Sequence, residues 1–219
     1  MQLLLFLIIG KVISIAIGLI YYKRLSVAFK ITLFQVVIAA IAEIYGYYLS
    51  TSIHSNNNLW FFNLYWLFEL WIVGYAAMNI VSHTRVKTVI LSLLVITSII
   101  WAANVYNQSL QLYATWGISA ICITLVVVYF IVLFNNLFAT QRIISDPIFW
   151  LSISVVLFFG CLLPYYGLFN YLYEKSPETL NRFFDITIAL DFIRYPIIAL
   201  AFYLYGRQQI AKQNIAIAD

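Results

Sequence analysis

The chain has 219 residues, 64% of them hydrophobic and only 9% charged, with a net charge of +4. A soluble domain is about half apolar and about a quarter charged, so this chain has too few charges to wet a globular surface. Apolar runs of roughly 20 residues recur from end to end, each long enough to cross a hydrocarbon core of about 30 Å. They are continuous rather than alternating, which argues against a β-barrel. The expected class is an all-α polytopic membrane protein.

Seven spans are expected, at 2–22, 29–50, 59–80, 87–106, 112–135, 148–171 and 184–205. Together they make a seven-helix transmembrane domain over 1–206, followed by a short cytoplasmic tail, 207–219. The first span has no basic segment before it; Lys23 and Arg24 follow it. That order suits a retained helix with its N-terminus outside rather than a cleaved leader. Its stretch "IIGKVISIAIG" places Lys11 mid-span beside a row of small residues, Gly10, Ser14 and Gly18. Such rows let helix backbones approach closely, so Lys11 is expected to face a neighbouring helix.

The second span contains "AAIAEIYGYY". Here Glu43 is flanked by Ala39, Ala42 and Gly46, which suit close helix contact, and Tyr47 stands one turn on as a candidate partner. The third contains "NLYWLFELWIVGY", with Glu69 near the membrane midplane and Tyr65 one turn earlier on the same face. A charge at that depth costs a few kcal/mol, so such residues face the bundle interior, pair, or change protonation.

Cys122 and Cys161 read as small buried packing residues. The sixth span holds Pro164, with Tyr165, Tyr166 and Asn170 near its outer end as candidates for an outward vestibule or an interfacial aromatic belt. "YEKSPETLNR" (173–182) reads as the longest outer connection. The seventh span contains "IALDFIRYP". Asp191 and Arg194 are three residues apart and are expected to pair along one helix, with Tyr195 and Pro196 beside them.

Orientation follows from Lys and Arg in the connections. Lys23, Arg24, Lys30, Arg85, Lys87, Arg142, Arg207 and Lys212 fall on one side, against Lys175 and Arg182 on the other. The N-terminus is therefore expected outside and the C-terminus inside, in a bacterial cytoplasmic (inner) membrane. Trp60, Trp101 and Trp116 mark outer ends and Trp150 an inner end. The positive-inside pattern uses most of the basic residues, so no nucleic-acid partner is implied.

Within the membrane, Lys11 and Arg194 stand against Glu43, Glu69 and Asp191. Near-balance argues for mutual pairing. One excess carboxylate argues for a protonated acid, a bound cation, or a cationic group on a small-molecule ligand. These five, with Tyr47, Tyr65 and Tyr195, are the ligand-binding or ion-coupling candidates. The competing reading is that they only fix helix register.

No metal site, cofactor or catalytic residue is expected. His54 and His83 lie in different loops, and no zinc-protease helix motif, nucleophile elbow or phosphate-binding loop occurs. The last span has an arginine where a retinal protein would need a lysine. The segments "AEIYGYYL" and "NNLWFFNLYWLFEL" resemble small, uncharacterised seven-span bacterial membrane proteins, a resemblance that implies no activity.

Two functions are expected to compete. One is a receptor-like or sensory subunit that binds a small ligand or proton and signals to a cytoplasmic or membrane protein partner. The other is a small-solute or ion transporter of three-plus-one-plus-three helix layout. A membrane enzyme using the carboxylates is a more distant third.

Overall fold

A computed structural model describes residues 2–52, 59–110, 113–137 and 143–218, and all regular structure among them is helical. The seven α-helices are α1 (Gln2–Ile20), α2 (Val27–Ser52), α3 (Leu59–Ile80), α4 (Thr84–Gln108), α5 (Thr115–Leu137), α6 (Pro147–Lys175) and α7 (Pro177–Ala218). Short 3-10 turns at Tyr22–Arg24 and Ile143–Ser145 complete the secondary structure. Helices α2 to α7 are long and apolar enough to cross a membrane; the described apolar stretch of α1, Ile8–Ile20, is shorter. The chain is an integral membrane protein.

In lipid every backbone polar group must find its partner inside the segment, which favours continuous helices joined by short turns. Two of those turns have legible causes. Asp146 caps α6, its carboxylate accepting from the Ile148 amide at 2.8 Å, and Pro147 takes the first helical position. All of the stretch 173–182 except Ser176 is helix rather than the expected loop: α6 runs to Lys175 and α7 begins at Pro177. Ser-Pro-Glu-Thr supplies the reason, with Pro177 and Glu178 in the first turn of α7 and the Ser176 and Thr179 hydroxyls bonded at 2.7 Å. The expected tail is also helical, since α7 continues to Ala218.

Six helices form a ring in which neighbours meet as α1–α2, α2–α3, α3–α5, α5–α6, α6–α7 and α7–α1. Helix α4 packs on α3 and α5 and is the least buried of the six long helices. Polar stitches fix it there. The Thr97 and Thr124 hydroxyls are 2.6 Å apart, and the Gly117 amide donates to Asn104 at 2.9 Å. At the same end, Asn63 of α3 donates to the Leu110 carbonyl and accepts from the Ala114 amide. Trp101 is buried rather than interfacial, because Gly117 packs against it.

The small-residue row of α1 packs on α7. Gly10 lies beside the Phe192 carbonyl, Tyr195 and Pro196, and Ser14 donates to the Tyr195 carbonyl at 2.5 Å. Pro196 has no N–H to give the carbonyl four residues earlier, so the close approach of α1 falls where α7 lacks a helical bond. Cys122 is buried as expected, but Cys161 is exposed. It shares the outward stripe of α6 with Leu157, Pro164 and Leu168, spaced three and four apart.

Candidate functional site

Charged side chains from four helices meet inside the ring. Arg194 of α7 donates to Glu69 of α3 at 2.8 Å, and Gln35 of α2 donates to the same oxygen at 3.0 Å. Tyr65, one turn earlier on α3, lines the same cavity as Glu69. The guanidinium lies over the rings of Phe158 and Phe159, at 4.4 and 4.9 Å from their centroids. Both charged side chains are only 2% exposed. Guanidinium, carboxylate, amide and aromatic faces therefore close a compact layer across the bundle.

Beside that layer, the Lys11 ammonium donates to Glu43 at 2.7 Å and to Asp191 at 2.5 Å, and sits 4.2 Å from the Tyr195 ring centre. Lys11 is 1% exposed, whereas Glu43 and Asp191 are 24% and 15% exposed. The expected Asp191–Arg194 pair does not form. Three residues along a helix turn the two side chains about 60° apart, and each meets a better partner across the bundle. Asp191 turns to α1 and α2, where Lys11 waits, while the longer Arg194 reaches α3.

All five charges line one cavity of about 400 Å³, together with Tyr47, Tyr65 and Tyr195. Its upper walls are Tyr47, Phe62, Tyr113 and Phe184, at the end of the bundle where α2 meets α3 and α6 meets α7. Ala39 and Ala42 line it as well, so these small residues leave room for the cavity as well as allowing helix approach. Gly46 has the role expected of a close contact, with the Phe62 ring lying against it. On the far side of the Arg194 layer is a void of only about 10 Å³, bounded by residues including Gln35, Tyr129 and Val155. Within the described structure the main cavity thus has a floor.

Of the expected vestibule residues, Tyr166 lines the cavity and stacks edge-on against Trp66 at 5.3 Å. Tyr165 is buried beside it, packed on Tyr166 and Phe169, and does not line the cavity. The Asn170 side chain lies outside the described residues. The sequence reading missed Gln35, whose signal was a lone amide within an apolar run ("TLFQVVIAA"). It also missed Trp66, Tyr113 and Thr187, which carry no mark that separates a pocket wall from an interfacial belt. Glu43 Oε2 and Arg194 Nε are buried and find no hydrogen-bond partner among the described residues.

The chain matches no protein-family model, no curated protein and no solved structure. Fold and site together define an integral membrane protein whose helices enclose a charged, aromatic-walled pocket.

Proposed function

We propose that the chain is a receptor-like or sensory subunit of the bacterial cytoplasmic membrane, with seven spans, its N-terminus outside and its C-terminus inside. A small ligand enters the pocket from outside, and a cytoplasmic or membrane protein partner reads the result. The observation that carries this reading is the floored pocket, two of whose charged groups sit on a helix that continues to the opposite end. Asp191 and Arg194 belong to α7, and that helix runs on past the ring to Ala218. Ligand contact with Asp191 bears on a rod that ends where a partner can touch it. Pro196, two residues beyond Arg194, is a natural bending point.

A second reading has its own support. The ring contacts repeat, since α3 meets α5 as α7 meets α1, which fits two three-helix units of the same orientation joined by α4. A transporter of that layout would open the pocket floor in a second state.

The test uses the full chain in proteoliposomes. A panel of amines, amino acids and carboxylates is screened for thermal stabilisation, and stabilising compounds are then assayed for uptake. Sensing expects stabilisation without uptake, together with a change in distance between spin labels on α7 and α5. Uptake into the lumen selects transport. Glu69→Gln should fold yet lose the response. Unchanged response in that variant, or no stabilising compound in the panel, refutes the pocket as a functional site.

A further inference from the structure

Charge and wall chemistry together narrow what the pocket takes. The deep pair, Arg194 and Glu69, is neutral as a unit. The upper group is not: one ammonium, Lys11, serves two carboxylates, Glu43 and Asp191. With both carboxylates ionised one negative charge is left over, on side chains that are partly exposed rather than sealed. Glu43 Oε1 is committed to Lys11, while Oε2 has no hydrogen-bond partner among the described residues. A buried carboxylate oxygen left unpaired is costly, and a cation is the ligand that removes that cost.

The surroundings say what kind of cation. Gly46, one turn beyond Glu43, brings the Phe62 ring onto α2, and Tyr47 stands at the next position; both rings line the pocket. Tyr65, Trp66 and Tyr166 form wall opposite. Aromatic faces attract ammonium groups, most strongly when water is excluded, and Lys11 and Arg194 already use such faces here. A cavity of about 400 Å³ is the size of a small-molecule site. A bare inorganic ion would leave its apolar walls unfilled. An anion would meet the excess carboxylate, and the Lys11 ammonium is already held by Glu43 and Asp191.

We infer that the pocket binds a monovalent organic cation, an amine or quaternary ammonium with an apolar body, its charge against Glu43 and its body among the aromatic rings. This rests on the pocket being a ligand site, whichever function uses it.

The experiment is calorimetric titration of the full chain in nanodiscs with three probes of similar shape: benzyltrimethylammonium, its neutral isostere neopentylbenzene, and benzenesulfonate. The ammonium is expected to bind saturably, and the other two at least about tenfold more weakly. Glu43→Gln should weaken the ammonium by at least about tenfold. That variant keeps its fold, because Lys11 retains Asp191. Phe62→Leu should weaken it less. Equal binding of the ammonium to wild type and Glu43→Gln overturns the inference. So does equal affinity for neopentylbenzene; if that binding is abolished by Ala42→Phe, which fills the pocket, the pocket remains a ligand site and only the cation assignment falls. Failure of all three probes to saturate at millimolar concentration overturns both.

Discussion

The Arg194–Glu69 pair gives the sharpest test of how this interior is held. At 2.8 Å and an effective dielectric of about 20, the two charges attract by about 6 kcal/mol. Most of that offsets the cost of taking both from water, so the pair adds little net stability, while loss of one partner strands the other. Arg194→Leu leaves Glu69 with the Gln35 amide, and should cost about 3 kcal/mol. Glu69→Leu is worse. It strands a guanidinium that cannot shed its proton, and it removes the acceptor for Gln35, for about 5 kcal/mol in all. Removing both charges restores neutrality and leaves only the orphaned Gln35 amide, at about 2 kcal/mol. Equilibrium unfolding of the four proteins in mixed micelles of lipid and SDS measures the differences. The expected coupling is about 6 kcal/mol in favour of the double variant. A double variant as unstable as the two single losses added together would refute the pairing as a stability device.

Other expected outcomes follow from the same geometry. Lys11→Met should cost about 3 kcal/mol because it leaves two carboxylates facing each other. Asp191→Asn should cost only about 1 kcal/mol because Lys11 keeps Glu43, and the same unfolding assay would show the reasoning wrong if the order were reversed. A methyl group at Gly117 would sit 3.0 Å from the Trp101 backbone, whereas nothing lies within 4 Å of one at Gly167. Gly117→Ala should therefore lose about 1–3 kcal/mol, and Gly167→Ala should gain about 0.5–1 kcal/mol from helix propensity. Equal melting temperatures for the two would contradict this. For topology, in a background lacking Cys122 and Cys161, a cysteine replacing the exposed Tyr106 should react with an impermeant maleimide from outside. One replacing Thr84 should not, and the opposite pattern would invert the orientation.

The class and most of the helix positions were legible in the sequence, because lipid imposes a simple rule. Any stretch that enters it must be apolar and must satisfy its own backbone, so run length and polar breaks mark the helices directly. The same rule marked the candidate site residues. Five ionisable groups in otherwise apolar runs have few tolerable places to go, and Lys11, Glu43, Glu69, Asp191 and Arg194 do line one cavity. Pairing was not legible. Sequence distance suggested Asp191 with Arg194, but partners are chosen by depth and by which helix faces which, and α1–α7 and α3–α5 contacts join residues far apart in the chain. Nor could composition distinguish an aromatic pocket wall from an interfacial belt. Tyr166 and Tyr165 are adjacent and chemically identical, and only the rotation of α6 in the ring puts one ring in the cavity and the other behind it. The excess of one carboxylate was written in the sequence. That Glu43 and Asp191 share Lys11 beside an open and aromatic space was decided by the packing of the helices around it.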